Sequence, residues 1–222
     1  MPALYSIAKL TVAPAMLTGW RPRVDGLANV PVVGGAILAG NHLSVADELF
    51  VGSVVPRHIA FWAKSEYFTG DGLRGWLSRS VMEGIGAIPV VRGDGRAALA
   101  AFDNALPVLR AGGLVVVYPE GTRSPDGRLY RGRTGVARLA LRAGVPVIPV
   151  GVRGTEKIQP IGARMPRLSG VRPSLSFGRP LGFVGRPDTA TERRAITDEI
   201  MMEIQRLTGQ QYVGRYAPAR AA

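Results

Sequence analysis

Cysteine is absent from the 222 residues, which removes disulfides, thiolate-held metals and any thioester formed on the protein itself, and fits a reducing compartment. Histidine is nearly absent: His42 and His58 are the only two, so a metal site built on imidazoles is not expected. Lysine is confined to Lys9, Lys64 and Lys157, and 16 acidic residues stand against 28 basic ones. The formal charge of +12 is therefore carried by arginine, and it draws the chain toward phosphates, whether on nucleic acid, an anionic membrane surface or a soluble phosphorylated cofactor.

A membrane-spanning apolar run is also missing. Residues 26–46 carry no formal charge when His42 is neutral, yet Pro31, Gly34, Gly35 and Gly40 make the stretch a poor helix and a better strand flanked by turns. The segment from Leu4 to Trp20 holds Lys9 and Pro14, then meets Arg21 and Arg23, and shows no small-residue cleavage site. An apolar segment with a terminal Trp and basic flanks suits a bilayer interface, and residues 1–25 are expected to lie there. No Gly-x-Ser-x-Gly elbow occurs, which disfavours a serine hydrolase. Gly93-Asp94-Gly95-Arg96-Ala97-Ala98 matches a permissive dinucleotide fingerprint, but it does not follow a first strand, and Glu120 lies too far along to be the acidic partner.

What is present reads as one α/β domain over residues 1–222, with 46% hydrophobic residues to build its core. Short apolar runs at 36–39, 59–62, 87–91, 114–118, 147–152 and 174–177 have the length and β-branching of strands, several buried on both faces. Helical periodicity links Leu99, Phe102, Leu106 and Leu109, interrupted at Pro107. Thr134 is placed to cap a second helix that stops at Gly144, and Thr189 with Glu192 forms a capping box for a third that stops near Gly209. The alternation predicts a largely parallel or mixed central sheet flanked by helices, with an N-terminal interfacial helical segment.

In such sheets the chemistry gathers at the carboxyl ends of the strands. His42 follows one strand, Arg92 another, and Glu120 to Arg123 a third, so three polar clusters are expected to converge on one crevice. Ser44 is placed to cap a helix that starts near Val45, with Asp47 at its third position. Helical side chains lean toward the N-terminus, so Asp47 reaches back toward His42, and the helix dipole favours a carboxylate there. An imidazole that takes a proton from an alcohol needs such a carboxylate to set its tautomer. In Tyr118-Pro119-Glu120-Gly121-Thr122-Arg123-Ser124, Gly121 permits close backbone approach, Arg123 can grip phosphate bidentately, and Glu120 can accept from a hydroxyl or orient an arginine.

Together these residues resemble the glycerolipid acyltransferase family, the lysophosphatidic acid acyltransferases and their relatives. Asn41-His42-Leu43-Ser44-Val45-Ala46-Asp47 is similar to the family's His-x4-Asp motif, and Gly86-Ala87-Ile88-Pro89-Val90-Val91-Arg92 to its second block. The run from Tyr118 to Ser124 resembles the third, and Val145-Pro146-Val147-Ile148-Pro149-Val150 the fourth, so four blocks in order cover residues 41–150. Where the family often has aromatic-Lys-x-Gly, this chain has Tyr130-Arg131-Gly132-Arg133, and Val45 stands where an aromatic or small residue is usual.

The resemblance implies transfer of a fatty acyl group from acyl-CoA or acyl carrier protein to a lysophospholipid hydroxyl, most readily 1-acylglycerol-3-phosphate, with no cofactor or metal. It makes His42 the general base and Asp47 its orienter, and gives the acceptor to Arg92, Glu120, Gly121, Thr122 and Arg123. Backbone donors near the helix start or near Gly121 are expected to serve the oxyanion. The implied location is the cytoplasmic face of a membrane, peripheral or monotopic, on an anionic surface and without nucleic acid. Alternatives are a different phosphorylated or glycolipid acceptor, or a non-enzymatic basic module that binds membrane or nucleic acid.

Overall fold

The computed structural model describes residues 3–90, 95–168 and 170–218. Helix α1 (Ala3–Trp20) leads into β1 (Arg23–Asp25), β2 (Ala36–Gly40) and α2 (Ala46–Val54). Strands β3 (Ile59–Ala60) and β4 (Trp62–Lys64) precede α3 (Glu66–Thr69), α4 (Gly72–Gly84), β5 (Ile88–Val90) and α5 (Gly95–Arg110). Then come β6 (Leu114–Val117), β7 (Leu129–Tyr130), α6 (Gly135–Ala143) and β8 (Val147–Arg153). The described chain closes with α7 (Thr155–Ile158), β9 (Ser174–Phe177), α8 (Ala190–Thr208) and β10 (Tyr212–Val213).

Six strands form the main sheet in the order β1-β9-β8-β2-β6-β3. All neighbours run parallel except β8 and β9, so the sheet is mixed and mostly parallel, as the alternation of elements predicts. Every residue of β2 and β6 is buried, because helices cover both faces. Alternating side chains divide the core accordingly. Ile37, Ala39, Val115 and Val117 pack with residues of α5, α6 and α8, while Leu38, Val116, Ile148 and Val150 pack with Met16 of α1 and Phe50 and Val51 of α2.

The helix ends show which local signals were sufficient. Thr189 accepts from the Glu192 N–H at 3.2 Å, and Gly144 and Gly209 close their helices at φ 65° and 67°. The capping box is only half made, since the Glu192 carboxylate turns to Arg186. Thr134 makes no side-chain cap, and α5 runs through Pro107, whose missing N–H affects one of the last bonds in the helix.

The run 59–62 divides between two sheets. Ile59 and Ala60 pair with β6, whereas from Trp62 onward the chain pairs with β5 in a separate two-stranded sheet. Of the three strands expected to carry polar clusters, the one before Arg92, β5, lies outside the main sheet, and Arg92 itself lies outside the described residues.

Lys9, which interrupts the apolar N-terminal segment, has a structural use. Its Nζ donates to the carbonyls of Gly52, Ser53 and Val55 at the C-terminus of α2, where a cation also meets the helix dipole favourably. Burial pushes the Lys9 ammonium below its ordinary range. The interaction fixes α1 against α2 and so steadies the helix that carries Asp47. Leu4, Ile7 and Leu10 of α1 and Leu73, Trp76 and Leu77 of α4 stay exposed. Among the described residues no helix is long and apolar enough to cross a membrane.

Candidate active site

Gly40 ends β2 in the middle of the sheet, and the next residue locks the strand ends together. Asn41 is fully buried, accepts from the Val152 N–H and donates to the Val152 carbonyl, both at 2.8 Å. The ends of β2 and β8 are thereby held in register, and Thr155, three residues beyond Val152, is brought against α2. Helix α2 opens at Ala46, one residue later than the spacing predicts. Ser44 accepts from the Ala46 N–H at 3.1 Å and donates to the Gln159 carbonyl at 2.6 Å.

Asp47, in the first turn, reaches back as expected and is fully buried. Its Oδ2 lies 2.9 Å from His42 Nδ1 and accepts from the N–H groups of Leu43 at 2.7 Å and Ser44 at 2.9 Å. Its Oδ1 accepts from the Thr155 hydroxyl. A buried carboxylate with four partners is rigid, and it fixes the imidazole ring through Nδ1. Tyr118 also stacks on that ring, with centroids 3.9 Å apart and planes 10° from parallel. The Tyr118 hydroxyl is buried without a hydrogen-bond partner among the described residues, and burial together with the carboxylates of Glu48 and Asp47 raises it well above the ordinary phenol range, so it stays neutral.

The loop after β6 clamps the His42 backbone from the other side. Glu120 Oε1 accepts from the His42 N–H at 3.1 Å, and the Ser124 N–H donates to the His42 carbonyl at 2.7 Å. Glu120 Oε2 accepts from the Tyr130 N–H at 2.9 Å, so this carboxylate joins two loops with backbone donors on both oxygens. Burial pushes the Glu120 carboxyl up to about 7 despite those two hydrogen bonds, which act in the opposite direction.

Gly121, Thr122 and Arg123 occupy the segment between these two anchors, beside His42. Gly121 is left-handed, with φ 75°, and a Cβ there would stand 3.0 Å from Arg133 Cδ and Nε. Arg133 and Arg131 lay their guanidinium groups over the Tyr216 ring at 5.3 and 5.6 Å. Of the two arginines in the altered aromatic-Lys-x-Gly segment, it is thus Arg133 that abuts the Glu120–Arg123 loop. Of the backbone donors near the two expected oxyanion positions, Leu43 and Ser44 bond Asp47, Ala46 bonds Ser44, and Gly121 bonds the Tyr118 carbonyl.

Asn41, Thr155 and Ser124 belong to this site and were not singled out by the sequence. Asn41 stands next to His42, but nothing local marks its partner in β8. Replacing Thr155 with valine keeps the volume and removes the donor to Asp47. Stability in urea unfolding is expected to fall by roughly 1.5–3 kcal/mol, the cost of a hydrogen bond to a buried charge. An unchanged midpoint would show that Asp47 does not depend on that hydroxyl.

A family model described as Acyltransferase matches residues 21–153. The chain is 31% identical over 160 residues to "1-acyl-sn-glycerol-3-phosphate acyltransferase LPAT1, chloroplastic" of Arabidopsis thaliana, covering 72% of this chain and 43% of that protein. It is 30% identical over 139 residues to the 1-acyl-sn-glycerol-3-phosphate acyltransferase of Borreliella burgdorferi, covering 63% of this chain and 54% of that one. The chain thus spans about half the length of these relatives. In fold it is similar to the crystal structure of the 1-acyl-sn-glycerophosphate (LPA) acyltransferase PlsC from Thermotoga maritima, with a TM-score of 0.68 at 24% identity, covering 91% of this chain and 79% of that chain.

Proposed function

Because the chain belongs to the acyltransferase family, we propose that it transfers a fatty acyl group from a thioester, acyl-CoA or acyl carrier protein, to the free hydroxyl of a lysophospholipid, with 1-acylglycerol-3-phosphate the leading acceptor. The observation that carries this reading is the pair at 2.9 Å, His42 Nδ1 against Asp47 Oδ2, with the His42 backbone clamped at both its N–H and its carbonyl. With Nδ1–H held by Asp47, Nε2 is the basic nitrogen. It takes the hydroxyl proton as the oxygen attacks the thioester carbonyl carbon. The tetrahedral adduct then collapses, the C–S bond breaks, and the imidazolium returns its proton to the leaving sulfur, so protons and charge balance. Arg123, Gly121 and Thr122 line the acceptor side and Arg123 takes its phosphate, with Arg92 as a second phosphate ligand. Glu120 acts as a positioning residue for His42.

The acyl chain has an apolar place to go. A cavity of about 220 Å³ between α1, α2 and the β3–β5 region is lined by Val12, Leu49, Gly52, Phe61 and Ala87, together with Glu48, the neighbour of Asp47. A Cβ on Gly52 would already stand 3.4 Å from Phe61 Cζ. Gly52→Leu is therefore expected to move donor preference toward shorter chains, since each buried CH2 displaced forfeits about 0.8 kcal/mol. Competition between donors of different length reads this directly, and an unchanged preference removes the cavity from the acyl path.

The exposed apolar side chains of α1 and α4 fit the surface of an anionic bilayer, with the exposed Arg74 and Arg79 on α4. The deciding test of the function is product analysis by mass spectrometry, with a panel of lysophospholipids and polyol phosphates against both donor types. Phosphatidic acid from lysophosphatidate is expected. Absence of transfer to every acceptor from both donors overturns the reading.

A further inference from the structure

The base stands at the end of β2, and its two flanks differ. On the β6 side are Gly121, Thr122 and Arg123, already assigned to the acceptor. On the β8–β9 side lies a pocket of about 380 Å³ whose lining includes Leu43, Gly127, Arg153, Lys157 and Arg172. Arg153, Lys157 and Arg172 are its three cations, against the single carboxylate of Glu156. Arg153 is anchored through Nε to the Ser174 hydroxyl at 3.2 Å, and Arg172 through Nε to the Arg21 carbonyl at 2.5 Å. Anchoring at Nε leaves the terminal nitrogens of both forks for an anion with more than one oxygen.

Glu156 and Gln210 also line the pocket, and one oxygen of each, Oε2 of Glu156 and Oε1 of Gln210, is closed off from solvent and so out of a ligand's reach. The matching ligand is polyanionic. The volume is at the lower end of the roughly 300–1,000 Å³ of small-molecule sites, the size of a nucleotide.

Acyl transfer requires the alcohol and the thioester to meet at His42 from different directions. With the phosphorylated acceptor on the β6 side, the opposite flank is the one open to the donor's carrier. We propose that the pocket between β8, β9 and α7 binds the phosphorylated nucleotide end of a coenzyme A thioester. Arg153, Lys157 and Arg172 take the phosphates. Leu43, the residue after the base, is the wall that the pantetheine arm passes to bring the thioester to His42. This inference rests on the acyltransferase reading for its choice of ligand, but its test does not.

Calorimetric titration of the full chain with adenosine 3′,5′-bisphosphate, which carries no acyl group, reads the pocket alone. The wild type is expected to bind, and Lys157→Gln and Arg172→Gln each to bind about tenfold more weakly, because each variant removes one charge-assisted hydrogen bond to phosphate. Lys157 is exposed on α7, so its variant keeps the test valid if Arg172→Gln fails to fold. In turnover, the same variants should raise KM for acyl-CoA about tenfold more than KM for an acyl-N-acetylcysteamine donor, which lacks the nucleotide. Failure of the wild type to bind the bisphosphate, or equal binding by both variants, overturns the assignment. A raised KM for lysophosphatidate instead gives the pocket to the acceptor headgroup and overturns it too. A chain that binds the nucleotide here yet transfers no acyl group sinks the proposed function and leaves the pocket standing. One that transfers only from acyl carrier protein sinks the pocket alone.

Discussion

Replacing His42 with alanine is expected to lower acyl transfer by about two to four orders of magnitude, the usual contribution of a positioned general base, while the protein stays folded. The folding half of this expectation follows from the partners of Asp47. Truncating His42 removes one of four donors to that carboxylate, and the N–H groups of Leu43 and Ser44 and the Thr155 hydroxyl remain. The His42 backbone bonds to Glu120 and Ser124 do not involve the ring and survive as well. The structural cost is one side-chain hydrogen bond and the stacking on Tyr118, together on the order of 1–2 kcal/mol. The catalytic loss should fall on kcat, with acceptor KM little changed, because in this scheme the phosphate is held by Arg123 rather than by the base. Single-turnover rates with a saturating thioester, beside a urea denaturation curve, separate the two effects. A variant that is stable and fully active removes His42 from the chemistry, and a basic membrane-binding module with no reaction to catalyse would behave in that way.

The ease with which His42 and Asp47 are found in the sequence has a physical reason. Their interaction is local: they stand five positions apart, and a helix start lies between. Their spacing alone therefore predicts that they meet. The bonds that make the pair rigid are not local. Thr155 reaches Asp47 from 108 residues away, and Asn41 meets Val152 across 111. Only the pairing of β2 with β8 brings them together, and no pattern in the chain announces which loop residue will face which. The sheet itself was legible wherever a strand is buried on both faces, as in β2, β6 and β8, because continuous apolar runs can be written only for such strands. Where a run is shared between two sheets, as at Ile59 to Trp62, hydrophobicity is the same on both sides of the break and the division is invisible. The capping signals behaved in the same graded way. Thr189 makes its cap, whereas at Thr134 the backbone has φ −74° and ψ 2° instead of the extended conformation that aims a hydroxyl at the helix N–H groups.

Glu120 is the residue whose use departs furthest from what its motif invites, and its replacement by glutamine carries the second large effect. A carboxylate can accept from two N–H donors at once, one on each oxygen, as Glu120 does for His42 and Tyr130. An amide of the same shape offers one acceptor and one NH2, so one of those backbone donors must face another donor. Above about pH 7, where Glu120 is ionised, the expected cost is about 1–3 kcal/mol of stability for the group left unmade. A displacement of the His42 backbone by a fraction of an ångström further lowers kcat by roughly ten- to a hundredfold. Stability against pH distinguishes this from a merely disruptive substitution. Glu120 titrates at about 7 in the folded protein against an ordinary value of 4.5, so between those values the native state holds a proton that the unfolded chain has released. Its contribution is therefore complete below about pH 4.5 and is lost as pH rises toward 7, after which both states are ionised and nothing more changes. In urea titrations from pH 4.5 to 7.5 the wild type should lose roughly 3 kcal/mol of stability relative to Glu120→Gln, because glutamine has no proton to release. A gap that stays constant over this window would mean that the buried carboxylate ionises at its ordinary pH. The clamp on His42 would then come at no cost in charge burial, and the pH dependence of the fold would have to arise elsewhere.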